Sequence, residues 1–147
     1  MLNHSFEHML NPLSVLKALK KLISERGTIL IRIPIVAYAW QKYKTDWYGL
    51  DAPRHFFLYT QKSFRILCEQ TGFHIKKTIY DSSDMQFWAS EQYQKNIYLE
   101  SQKSYLNSKK NSIFTNIDIE KYRIKAAKLN KEEQGDSASF YLSKHSF

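Results

Sequence analysis

The chain has 147 residues, 43% of them apolar, which is one domain's worth of material with enough apolar side chains for a buried core. Its single cysteine, Cys68, excludes an intrachain disulfide, and no apolar run approaches the ~20 residues of a membrane-spanning helix. The opening MLNHSFEHML lacks the basic and then apolar pattern of a signal peptide, so the expected compartment is the cytoplasm. Twenty-two Lys and Arg against 14 Asp and Glu give +8, split as 10 against 5 up to residue 75 and 12 against 9 beyond it, hence +5 and +3. No nucleic-acid motif accompanies this spread charge, which reads as a solvated, mildly basic surface rather than a nucleic-acid face. The four glycines, Gly27, Gly49, Gly72 and Gly135, lie at least 22 residues apart. Phosphate and dinucleotide cradles need closely spaced glycines, so these residues contain neither a P-loop nor a Rossmann fingerprint.

The first clear element opens at Asn11-Pro12, an N-cap followed by proline where the missing N–H costs nothing. Leu13, Leu16, Leu19 and Ile23 then recur at helical spacing, and Gly27 is the expected stop. TILIRIP reads as a strand covered on both faces, ended by Pro34. Residues 35 to 59 follow neither period but hold eight aromatics in 25 positions, which predicts an ordered lid or substrate loop. Thr60 caps a second helix with Phe64, Leu67, Cys68 and Thr71 on one side, ended by Gly72. FHIKKTIY alternates as a strand with Phe73, Ile75 and Ile79 on one face.

After the loop Asp81 to Asp84, a short helix carries Met85, Trp88 and Tyr93. Residues 96 to 112, rich in Lys, Ser, Asn and Gln, predict a flexible peripheral insertion. Ile113, Ile117, Ile124 and Ala127 suggest a last long helix, and SASFYLS a terminal strand. Helix and strand alternate with crossovers long enough for parallel neighbours, so the fold class is α/β, in a single domain over 1–147. The opening MLNHSFEH reads as the end of a strand and the loop after it, so that the chain would begin within a domain.

His4, Glu7 and His8 form His-x-x-Glu-His, which on a helical turn places three metal-competent side chains on one face. The same string is the inverted zinc-protease signature, but that motif sits inside a regular helix, whereas here the helix starts only at Asn11-Pro12. The alternative is a polar turn bonded to backbone at the head of that helix. In Asp51-Ala52-Pro53-Arg54-His55, His55 beside Arg54 could accept a proton. Equally, Asp51 and Arg54 could pair around a turn while His55 fills a pocket. His74 and His145 read as surface residues, and Cys68 as a small core residue.

Together, HSFEHM..P..VL..L..LI...G.ILIRIP, then DW.GLDAPRHFFLYT..SF..L.E..GFHI, then GDSASFYL, resemble the class I S-adenosylmethionine-dependent methyltransferases, within them a bacterial branch akin to the ubiquinone-type enzymes. The resemblance implies the C-terminal part of a Rossmann-like seven-stranded sheet with helices on both faces. Met1 to Asn3 would end its fourth strand, 28–33 form its fifth, 73–80 its sixth and 137–143 an antiparallel seventh. The family's glycine-rich cofactor loop has no counterpart here, which implies a fragment. Its missing half would be an N-terminal segment or a partner chain.

By the same resemblance Asn3, His4 and Ser5 border the methionine end of S-adenosylmethionine, and His55 with Arg54 serves the acceptor, a small molecule or glycan. Related small-RNA 2′-O-methyltransferases hold a divalent metal with Glu-x-x-Glu-His and a later histidine. His4 stands here in place of the first glutamate, leaving Glu7, His8 and His55. The alternative is a non-catalytic subunit that completes its sheet with a partner chain.

Overall fold

The computed structural model describes residues 1–145, which divide into two compact units. The first comprises Met1–Val36, Asp51–Asp81 and the chain from Ser137 onward. Its mixed sheet has strands β1 (Leu2–Asn3), β2 (Ile29–Pro34), β3 (His74–Tyr80) and β4 (Ser137–Ser143) in the order β1-β2-β4-β3. β1 runs parallel to β2, and β4 is antiparallel to both β2 and β3. The α/β class and the antiparallel last strand agree with the sequence reading, and the sheet has four strands among the described residues.

Why these elements form is local. Asn11 accepts from Ser14 N–H at 3.0 Å and starts α1 (Pro12–Leu22). Thr60 and Ser63 exchange side-chain and backbone hydrogen bonds at the head of α3 (Gln61–Gln70). Gly72 follows α3 with φ +69, a left-handed conformation that glycine adopts without a Cβ penalty, and its N–H caps the Glu69 carbonyl. The core of the unit is aromatic: Phe6, Tyr59 and Phe64 pack with ring centroids 5.6–5.8 Å apart, and Phe64 meets Phe140 of β4 at 4.5 Å.

Two expectations are corrected here. α1 ends at Leu22, with Ile23 already extended, and not at Gly27. Gly27 instead closes a turn onto Ser24 and is small because a Cβ would collide with the Ile23 side chain. In β3 the register shifts between Ile75 and Lys77, a bulge that inverts the alternation. Phe73 is buried and Ile75 half-buried as expected, but beyond the bulge Tyr80 points inward and Ile79 is exposed.

The second unit comprises Ala37–Leu50 and Ser82–Asp136. The aromatic segment supplies it with α2 (Tyr38–Tyr43) and two 3-10 turns, Lys44–Asp46 and Tyr48–Leu50. Trp47 is buried, donates its indole N–H to Asp136 at 2.9 Å and lies against Gly49, where a Cβ would strike its ring. α4 (Met85–Tyr93) and α5 (Asn116–Lys131) pack through Trp88, Ala89 and Ile119. The excursion 96–112 is a run of turns tied to the buried Gln92, whose amide accepts from Tyr105 N–H and donates to Ser104.

The face of α5 is the third correction. Ile119, Ala126 and Leu129 are buried, whereas Ile113, Ile117 and Ile124 are exposed. Both stripes are apolar; the Thr115–Asp118 cap and the aromatic packing around Tyr122 select the first. Among the described residues no helix is long and apolar enough to cross a membrane.

The bulge makes a direct prediction. Ile79→Lys should shift stability in urea by no more than about 0.5 kcal/mol, as for an exposed site, while Phe140→Ala should cost about 3–5 kcal/mol. A loss of several kcal/mol in Ile79→Lys would place Ile79 in the core and refute the register.

Candidate functional site

The site lies in the first unit, where the turn after β1 meets the loop that precedes α3. Phe6 begins a short 3-10 turn, Phe6–His8, and its fully buried ring pulls the next residue, Glu7, inside with it. The Glu7 carbonyl accepts the backbone N–H of Phe56 at 3.0 Å and of Phe57 at 3.3 Å, which docks the 51–57 loop on the turn. Val36 N–H to the Tyr59 carbonyl, 2.8 Å, anchors the far end of that loop. Asp51 and Arg54 do pair, Arg54 Nη2 to Asp51 Oδ1 at 2.7 Å, around a cis Ala52–Pro53 bond. Asp51 and Arg54 thus form the turn that the structural reading of this string expected, with the His55 side chain 9% exposed.

Glu7, His8 and His55 converge, with one ligand-competent atom from each lying within 4.8 Å of the others. His55 Nε2 is 3.9 Å from Glu7 Oε1 and 3.7 Å from Asp51 Oδ2, and the His8 and His55 rings are 4.8 Å apart. His8 Nδ1 lies 2.8 Å from the Arg54 carbonyl. A carbonyl only accepts, so Nδ1 carries the proton and Nε2 is the nitrogen left for a proton or a cation.

The structure brings together Glu7, His8 and His55, the three residues that the resemblance left for a cation, and His4 turns instead to Arg32. His4 lies at the end of β1 with φ 46, its Nε2 2.6 Å from Arg32 Nη1 and its Nδ1 3.4 Å from Glu7 Oε1. The inverted zinc-protease reading fails, because the string occupies a single 3-10 turn and not a regular helix. Of the other residues assigned to the cofactor, Asn3 pairs with Arg32 across the β1–β2 ladder and the Ser5 carbonyl accepts His8 N–H. The Arg54 guanidinium is mostly exposed beside the site.

Glu7 is the unusual group. Its side chain is 1% exposed, yet neither carboxylate oxygen has a properly aligned hydrogen bond among the described residues. Burial alone pushes its carboxyl upward; the polar contact with His4, its own backbone N–H and the nearby His4 and His55 imidazoles outweigh that and hold it below the ordinary 4.5. Glu91 in the second unit shows the ordinary solution, accepting from Tyr122, Tyr43 and Lys42 at 2.6, 2.8 and 3.0 Å. A buried carboxylate beside two imidazoles and without such partners is suited to stabilising a positive charge in the site.

Composition did not single out Tyr59. Its hydroxyl is buried without a hydrogen-bond partner among the described residues, and burial together with the Glu7 charge raises its pKa well above the usual phenol value, so it remains a neutral donor.

Because Glu7 is held below 4.5 when folded, its contribution to stability is present above 4.5 and is lost as pH falls through the lower folded value. The stability difference between the wild type and Glu7→Gln, measured in urea from pH 7 downward, should therefore shift against the wild type below about pH 4.5. A difference that moves in the wild type's favour on acidification would show a raised Glu7 and contradict the charge assignment.

Residues 1–78 match the family model described as a methyltransferase domain. Among solved structures, the chain is similar to the cyclopropane synthase MmaA2 from Mycobacterium tuberculosis, with 15% identity and a TM-score of 0.49. That match covers 97% of this chain and 53% of the other, so the chain spans about half the length of that structure. No curated protein sequence matches. With more than half of its residues matched by the family model, the chain belongs to the methyltransferase-domain family.

Proposed function

We propose that this chain carries the acceptor side of an S-adenosylmethionine-dependent methyltransferase acting on a small molecule or glycan. The observation that carries the reading is the wholly buried, unsatisfied Glu7 carboxylate facing His55 and His8. The cofactor, when bound, supplies an electrophilic methyl group, so the protein's task is alignment, exclusion of water and proton removal. Asn3, His4 and Ser5 would border its methionine end. The ring and N–H of His4 are engaged within the chain, which leaves its carbonyl for that role.

His55 Nε2 would take the proton of an acceptor O–H or N–H, and Glu7 and Asp51, 3.9 and 3.7 Å from that nitrogen, would stabilise the imidazolium. Arg54, exposed and anchored by Asp51, would steer an anionic or polar part of the acceptor. A second use of the same residues is supported by the donor set. One carboxylate and two imidazoles, with His8 Nδ1 tied to a carbonyl, fit a divalent cation. Glu7, His8 and His55 would hold it, and it would polarise an acceptor oxygen. His55 cannot serve as base and ligand at once, so the two uses predict different variants.

Because the cofactor loop has no counterpart in these residues, the chain alone should be a poor catalyst, and the reading is tested with the cofactor-binding half supplied, by transfer of a labelled methyl group from S-adenosylmethionine to a panel of hydroxylated small molecules and glycans. His55→Ala should lower the rate by about 10²–10⁴-fold. If the cation operates, EDTA should abolish transfer and His8→Ala should fall as far; if the base operates, EDTA should have no effect. No labelled product with any acceptor, or full activity in His55→Ala, would overturn it.

A further inference from the structure

A line of polar contacts behind Glu7 crosses the sheet. Asp81, just beyond β3, accepts from Ser137 Oγ at 2.8 Å, from Ser139 Oγ at 2.9 Å and from Arg32 Nε at 2.7 Å. Burial pushes its carboxyl up, but the bonds from Arg32, Ser137 and Ser139 hold it below the ordinary value, as a carboxylate that anchors the guanidinium. Arg32 turns its other branch to His4, Nη1 lying 2.6 Å from Nε2, and its carbonyl accepts His4 N–H at 3.0 Å. A guanidinium has no lone pair to offer, so His4 Nε2 must be the acceptor. The ring proton then sits on Nδ1, the nitrogen facing Glu7 Oε1 at 3.4 Å.

The backbone supports the same conclusion. Among the described residues of the first unit, the non-glycine residues with left-handed φ are His4 and Asp51, at 46 and 41. His4 lies against Glu7 and Asp51 against His55, and both carry a conformation that costs on the order of 1–3 kcal/mol unless its surroundings hold it. An ordinary surface ion pair between Arg32 and Asp81 would need neither the contact to His4 nor its strained backbone.

We propose that Arg32, anchored by Asp81, is a positioning residue that fixes His4 with Nε2 unprotonated and its ring proton on Nδ1, 3.4 Å from Glu7 Oε1, where the N–H dipole, without an aligned hydrogen bond, favours the Glu7 carboxylate beside His55 and His8. This rests on the acceptor-site reading above for its purpose, though not for its geometry. It also removes the His4 ring from the ligands available to cofactor or metal.

Long-range proton–nitrogen NMR of the full chain, labelled with nitrogen-15 in histidine, tests the geometry without any activity. His4 should show a protonated Nδ1 and a bare Nε2. Arg32→Met should release the ring to the opposite tautomer or to a mixture of the two, and Arg32→Lys, which still donates to Nε2, should restore the wild-type pattern. Asp81→Asn, a milder change should Arg32→Met fail to fold, should give an intermediate pattern.

Titration with Mn²⁺ provides a second readout, expected to be about 10–100-fold weaker in Arg32→Met, as for loss of a supporting contact behind a ligand. A protonated Nε2 in the wild type, or a tautomer indifferent to Arg32→Met, would overturn the inference. A wild type that ignores Mn²⁺ while its tautomer follows Arg32 would uphold the positioning role and reject the cation.

Discussion

The site depends on the burial of one charge. Phe6 belongs in the core, and a 3-10 turn leaves its neighbour no way out, so Glu7 follows it into a dry environment. A carboxylate there is costly unless positive charge or donors surround it. Glu91 meets that requirement with two tyrosines and a lysine. Glu7 meets it with imidazoles at 3.4 and 3.9 Å, contacts too long or misaligned to satisfy its oxygens. A protein that can build the first arrangement and builds the second keeps acceptor capacity in reserve, which is what a proton-transfer or cation site needs.

Topology brings the parts together. β1 runs parallel to β2, and β3 shares that direction because both β2 and β3 are antiparallel to β4. The carboxyl ends of β1, β2 and β3 therefore lie at one end of the sheet, where α/β proteins place their ligands. His4 follows β1, the loop leading to Tyr59 is anchored just after β2, and Asp81 follows β3. Arg32, reaching in one direction to Asp81 and in the other to His4, ties these ends to each other. The 51–57 loop closes the group by hydrogen bonding to the Glu7 carbonyl, and its own Asp51–Arg54 pair sets the direction of His55.

Much of the frame was legible because its signals are local. Asn11-Pro12, Thr60 and Gly72 act through their own backbone neighbours, and the apolar runs of β2 and β4 mark inner strands wherever they fall. What escaped depends on partners distant in sequence. Ile79 is exposed because of a bulge against β4, more than fifty residues away, and no period-two pattern carries that information. α5 offers two apolar stripes, and its cap together with the aromatic cluster around Trp88 chooses between them. α2 has no side-chain cap to announce it. At the site, spacing picks out Glu7 and His8 and the resemblance adds His55, 48 and 47 residues further on, but Arg32 takes the His4 ring by a contact that no motif records.

Carbon-13 NMR titration of the Glu7 side-chain carboxyl measures the central claim directly. The account predicts a carboxylate that is ionised at neutral pH and protonates only below its ordinary value of 4.5. A Glu7 that takes up its proton well above 4.5 would be a neutral buried acid, and the charge on which the acceptor site rests would be absent.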